Sequence, residues 1–202
     1  MKRLKAAAFF ACLAPLGLLV WDGYTDNLGA NPIEAITRAS GKWTLIFILI
    51  TLAVTPLRKI TGWRDLIKLR RMLGLYAFFY GCLHFLTYVW LDQFFDWGAI
   101  AKDVIKRPFI TAGFVSFVLL IPLAATSTAA MIRRLGKRWR QLHRLIYVSA
   151  LGGVLHFLWL VKADIRRPAL YGSILAVLLA VRLVPGSALA AVGKVAGKPK
   201  SA

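Results

Sequence analysis

The stretch Gly153-Val154-Leu155-His156-Phe157-Leu158 has a near-copy upstream, Gly81-Cys82-Leu83-His84-Phe85-Leu86. Each places one imidazole inside a run too apolar to face water. A histidine within hydrocarbon is costly unless it has a partner. Two of them on two helices point to a haem held between the helices, with one histidine on each side of the iron. Gly81 and Gly153 each stand three residues before a histidine, on the same helical face, and predict room there for a flat macrocycle. The competing reading is a pair of histidines hydrogen-bonded to neighbouring helices, with no cofactor.

Composition agrees with a membrane setting. Of the 202 residues 59% are hydrophobic, and the mean hydropathy is +0.66; a soluble domain is nearer half apolar. The net charge of +19 would point to nucleic acid in a soluble protein. Here the basic residues lie in short loops between apolar runs, so they read as a topology signal facing the lipid bilayer, and nucleic acid is excluded as a partner. Cys12 and Cys82 both lie in apolar runs and form no Cys-x-x-Cys motif. That excludes covalent c-type haem, zinc ribbons and cysteine-held iron–sulfur clusters.

The pattern predicts an all-α bundle of six transmembrane helices in one domain, residues 1–185, with a flexible cytoplasmic tail at 186–202. The expected spans are residues 6–21, 43–57, 72–91, 109–131, 145–161 and 169–184. The first reads as a retained helix rather than a cleaved signal, because Trp21-Asp22 ends the run without a small-residue cleavage site. A separate short helix is expected from Ile33 to Ala39. Residues 58–71 read as a basic segment lying along the membrane surface. Pro122 is expected to kink the fourth span near its middle. Trp139, Tyr76 and Tyr147 read as an interfacial aromatic belt.

Nineteen of the 27 lysines and arginines fall in the N-terminal tail, the loops 58–71 and 132–144, and the tail from Arg182. The alternation predicts that both termini face the cytoplasm. His84 lies 13 residues beyond Arg71 and His156 lies 12 beyond Arg144. Both histidines are then about 18–20 Å from the cytoplasmic edge, in the outer half of the membrane. The third histidine, His143, stands at the cytoplasmic end of the His156 helix. The two are about 140° apart around an ideal helix and share a face only if Gly152-Gly153 bends it. A second haem at His143 is one reading and an interfacial histidine the other. When the two Leu-His-Phe-Leu frames are superimposed, Arg71 takes the position of His143. Arginine is a poor iron ligand but pairs well with a propionate. Arg70, Arg71, Arg140 and Arg144 flank this lower site, and simple topological anchoring is the alternative for all four. No residue set for acid–base or nucleophilic catalysis is present.

The run Arg70-Arg71-Met72-Leu73-Gly74-Leu75, the His84 helix, and Trp139-Arg140-Gln141-Leu142-His143-Arg144-Leu145-Ile146-Tyr147 followed by His156 resemble the MsrQ family. These are haem-binding membrane subunits of bacterial periplasmic methionine-sulfoxide reductases, within the wider ferric-reductase-like transmembrane group. The resemblance covers about residues 6–185. It implies b-type haem, one or two per chain, with His84, His143 and His156 as iron ligands. It also implies FMN as an additional cofactor, quinol from the membrane quinone pool as electron donor, and a periplasmic molybdopterin-containing reductase as partner. The setting would be the bacterial inner membrane. The oxidase branch of the group has two histidines on each of two helices; here Arg71 replaces one.

The expected function is therefore a membrane electron-transfer subunit. The loop Asp92 to Trp97 is the expected docking face, because it joins the His84 helix at the outer side. Two readings compete: a ferric or flavin reductase module fed by a cytoplasmic dehydrogenase, and a cofactor-free transporter or scaffold. Against the last, the spans hold almost no acidic residue to couple an ion.

Overall fold

The fold is that of a computed structural model describing residues 2–161 and 163–184, all helical and without strands among those residues. The tail expected at 186–202 lies outside the described residues. Helix α1 is Lys2–Tyr24 and α2 is Pro32–Thr61. A short 3₁₀ turn, Arg64–Lys68, leads to α3, Arg70–Leu86, which continues as a π-helical turn over Thr87–Asp92. Then come α4 (Trp97–Lys106), α5 (Pro108–Ala125), α6 (Ala129–Leu135), α7 (Lys137–Leu142), α8 (Leu145–Leu160) and α9 (Arg166–Leu183).

Among the described residues five stretches are long and apolar enough to cross a membrane: Arg3–Tyr24, Pro32–Thr61, Arg70–Asp92, Pro108–Ala125 and Lys137–Leu160. The chain is a multi-pass membrane protein. Helix α9 has 18 residues but carries Arg166, Arg167 and Arg182.

The second span differs most from expectation. The short helix at 33–39 and the span at 43–57 are one helix of 30 residues, about 45 Å long. Its polar start is helical because Asn31 accepts from the Glu34 N–H at 3.1 Å and Pro32 occupies the first turn. It also runs past Pro56 to Thr61. Proline lacks the N–H that would bond the carbonyl four residues back. That carbonyl, on Leu52, accepts instead from Arg182 Nη2 at 2.6 Å. Residues 58–61 of the segment expected along the membrane surface are thus the end of α2, and Leu66 and Leu69 pack against the core.

The fourth span is shorter than expected. It ends at Ala125, and Thr128 caps a new helix by accepting from the Met131 N–H at 3.2 Å. Pro122 lies in the last turn of α5 rather than at its middle. Of the three aromatics expected in the interfacial belt, Tyr76 departs from the expectation. Tyr76 is buried and donates to the Phe9 carbonyl, Tyr147 accepts from Arg182, and Trp139 Nε1 donates to the Thr126 carbonyl. All three serve helix–helix contacts.

Packing follows two helix pairs. α2 lies along α3, α5 lies along α8, and α9 closes α8 against α2. Leu45, Phe47, Ile48, Leu52, Ala77, Ala150 and Leu175 form the core between them. Helix α1 is joined through Tyr80, which is 1% exposed. Its hydroxyl accepts from the Leu16 N–H at 3.1 Å and donates to the Cys12 carbonyl at 2.9 Å. The two α1 groups are one turn apart, so a side chain of α3 is inserted into the α1 ladder beside Pro15.

Candidate haem-binding site

His84 on α3 and His156 on α8 face each other across the bundle, with ring centroids 6.1 Å apart and planes at 70°. Each ring is held by a backbone carbonyl of the helix paired with its own. His84 Nδ1 is 2.9 Å from the Thr37 oxygen, and His156 Nδ1 is 2.6 Å from the Phe109 oxygen. A carbonyl only accepts, so each Nδ1 must carry the proton. In its neutral form each imidazole then presents the Nε2 lone pair, as a metal-ligating histidine requires.

The centroid separation leaves the length that a shared iron would need with both Nε2 atoms directed at it. Two metal–nitrogen bonds of about 2 Å, plus about 1 Å from each nitrogen to its ring centre, sum to about 6 Å. Directly after His84 the ladder widens into the π-helical turn, and the Thr87 hydroxyl donates to the His84 carbonyl at 2.8 Å. Phe85 stacks on Phe117 at 5.0 Å, and Phe78 stacks on the same ring at 5.9 Å. The Phe109 ring lies 6.2 Å from the His156 ring.

The glycines nearest the rings are not those expected from sequence. A Cβ on Gly41 would lie 2.9 Å from His84 Cε1, and one on Gly113 would lie 2.7 Å from His156 Nδ1. These two let α2 and α5 back directly onto the imidazoles. Gly81 and Gly153 instead admit other side chains: a Cβ would meet Phe117 at 3.4 Å and Leu45 at 3.7 Å respectively.

The two halves repeat. Thr37 and Phe109, Gly41 and Gly113, Leu45 and Phe117, Gly81 and Gly153, and His84 and His156 are each 72 positions apart. The contacts are reciprocal, since Gly81 of the first half meets Phe117 of the second, and Gly153 meets Leu45. The α2–α3 and α5–α8 pairs are two copies of one unit, each supplying one histidine with its carbonyl and its glycine. The sequence signal for Gly41 and Gly113 was this offset, carried beyond the histidine frames.

His143 stands at the break between α7 and α8, while α8 runs uninterrupted through Gly152-Gly153. The expected bend is therefore at the histidine itself. Its ring stacks on Trp139 at 3.8 Å, its Nδ1 is 3.1 Å from the Trp139 carbonyl, and its Nε2 is buried with the Leu123 backbone nearby. Arg70 is half-buried and within electrostatic reach of it. Arg71, which the repeat matches to His143, is exposed, as are Arg140 and Arg144. Arg70 thus takes the inward place expected of Arg71. No cluster of three or more histidines, cysteines or acids occurs among the described residues.

Residues 39–154 match the family described as ferric reductase like transmembrane component. A relative from Herminiimonas arsenicoxydans, named protein-methionine-sulfoxide reductase heme-binding subunit MsrQ, is 58% identical over 89% of this chain and 84% of its own length. The chain belongs to the MsrQ family. Relatives of the same name from Rhodospirillum rubrum and Bordetella pertussis are 56% and 52% identical, each over 90% of this chain and over 88% and 89% of their own lengths. No solved structure matches. In MsrQ terms, the family match takes in Gly41, His84, Gly113 and His143 and ends two residues short of His156.

Proposed function

We propose that this MsrQ-family chain is the membrane electron-transfer subunit of a periplasmic methionine-sulfoxide reductase system. It takes electrons from the quinol pool and delivers them to a molybdopterin-containing partner outside the membrane, with b-type haem as its resident carrier. The observation that carries the reading is the His84–His156 pair, spaced for one iron and oriented by two carbonyls. When bound, haem supplies a one-electron carrier. The chain's own residues do the rest. Thr37 and Phe109 hold the ring tautomers, and Gly41 and Gly113 let the helices close.

His143, with its buried Nε2, is the ligand for a second haem on the cytoplasmic side. FMN is the additional cofactor. The orientation has both termini in the cytoplasm of a bacterial inner membrane and six spans, α9 being the sixth. The charge alternation along the loops supports it.

The outer docking face is the turn before α4. Phe94 and Phe95 both have positive φ, 47° and 62°, although neither is glycine. Phe94 is 78% and Trp97 65% exposed. Backbone strain that displays two aromatics beside the end of the His84 helix is what a partner-binding turn needs. The test is reduction of the purified protein by a quinol analogue with and without the periplasmic subunit. Reduction by NADPH with a soluble dehydrogenase, and none by quinol, would favour the ferric or flavin reductase reading.

A further inference from the structure

The two halves of the repeat differ on one face. In the first half, α1 lies on the α2–α3 pair at Tyr76 and Tyr80. The Tyr76 hydroxyl donates to the Phe9 carbonyl, and the Phe9 ring meets the Tyr76 ring edge-on at 5.8 Å. Tyr80 bonds the backbone of Leu16 and Cys12. In the second half, 72 positions on, Val148 stands for Tyr76 and Gly152 for Tyr80. Val148 is 53% exposed where Tyr76 is 7%, and the neighbouring Leu151 is 52% exposed. The face that α1 covers in one half is, in the other, an open groove of about 490 Å³ between α5 and α8, with Ala112, Ser116 and Gly152 along it.

This face suits a helix rather than a polar ligand. Its two hydroxyls are spent on their own surroundings: Thr111 donates to the Val104 carbonyl, and Ser116 donates to the Ala112 carbonyl at 2.7 Å. None of the groove residues is ionisable. Between helices in lipid there is no hydrophobic gain, so association rests on packing at small residues that let backbones approach. The recess is fixed, because a Cβ on Gly152 would collide with Ser116 Oγ. Two copies in one membrane share an orientation, so a two-fold axis between them runs along the membrane normal and pairs residues at equal depth. Self-association then needs a projection and a recess at one level. Leu151 and Gly152 supply both, being consecutive in α8 and about 1.5 Å apart along its axis.

We propose that the α5–α8 face is an isologous interface between two copies of this chain, with Leu151 of each copy seated on Ala112, Ser116 and Gly152 of the other. The second copy covers in this half what α1 covers in the first. The association is separate from the electron-transfer reading, which neither requires nor forbids it.

The full-length chain is extracted in mild detergent, and the protein mass per particle is measured by light scattering over a dilution series. Two chains of 22.4 kDa per particle are expected for wild type. L151A removes the projection and should weaken the association about tenfold, with helical content and haem per chain unchanged. The contact itself is read in native membranes, in a C12S/C82S background carrying either L151C or V177C. Val177 is 60% exposed on α9 and serves as the control. A short bifunctional thiol reagent should link L151C into a dimer and leave V177C unlinked. If L151A does not fold, the wild-type mass and the linking pattern decide. One chain per particle at every concentration overturns the proposal, and so does a dimer that links through V177C and not through L151C. L151C that links only to a different protein gives the groove to a partner's helix and overturns it as well.

Discussion

His84 Nδ1 lies 2.9 Å from the carbonyl oxygen of Thr37, and 72 positions later His156 repeats the contact with Phe109 at 2.6 Å. Both carbonyls sit on the helix that backs the histidine, one turn from the glycine that admits its ring. The tautomer and tilt of both imidazoles are therefore set by backbone, which side-chain substitution at residues 37 and 109 does not remove.

The glycines are the point of sensitivity. At Gly113 an added methyl would sit 2.7 Å from His156 Nδ1, and at Gly41 it would sit 2.9 Å from His84 Cε1. G113A and G41A are expected to push the rings off their carbonyls and to lower haem occupancy several-fold, as loss of a ligand-orienting contact does. Gly17 has open space around it, so G17A should retain full haem. Haem per chain by pyridine haemochrome, on protein of equal monodispersity, checks this.

Tyr80 is expected to hold α1 in place. Y80F removes the group that joins Leu16 and Cys12 to α3, at a cost of about 1 kcal/mol for a hydrogen bond in a membrane bundle. Cys12 is 6% exposed in the folded protein. In a C82S background, maleimide labelling of Cys12 should rise roughly fivefold in Y80F, in line with that cost. Unchanged labelling would mean that packing alone fixes α1.

Phe94 and Phe95 adopt backbone angles that glycine takes without strain. F94G and F95G should leave haem content intact and thermal stability equal or higher, by up to about 1 kcal/mol each. Electron delivery to the periplasmic partner should fall, because exposed aromatic anchors carry docking energy. The check is the pairing of a melting curve with partner reduction. A parallel loss of both would assign the turn to the fold rather than to docking.

His143 tests the second haem. H143A should keep the absorption signature of the His84–His156 site and bring the haem count down from about two to about one per chain. A count that H143A leaves unchanged would return His143 to a packing role beside Trp139.

The histidine pair was legible in the sequence because an ionisable ring in an apolar run is rare enough to stand out, and its duplication raised the signal. The third and fifth spans were legible from uniform apolarity. The full length of α2 was not legible because Glu34, Thr37, Arg38 and Ser40 interrupt the apolarity of its first ten residues, while capping by Asn31 makes them helical regardless. Gly41 and Gly113 carry no local signature, since what each touches lies on another helix 43 residues away. Arg182 read as one more basic residue of a tail. Its inward turn depends on a carbonyl 130 residues earlier that Pro56 leaves free, a relation that exists only once α9 packs on α2. Arg70 and Arg71 were both legible as basic neighbours of His143; that Arg70 is half-buried and Arg71 exposed depends on how α3 packs.

The most direct test of the central claim is the reduced-minus-oxidised absorption spectrum of the purified chain, with haem counted per polypeptide, for wild type, H84A and H156A. The account predicts a b-type, six-coordinate signature in wild type that is lost or converted to a five-coordinate form in either variant. A wild-type-like spectrum and haem count in both H84A and H156A would contradict it.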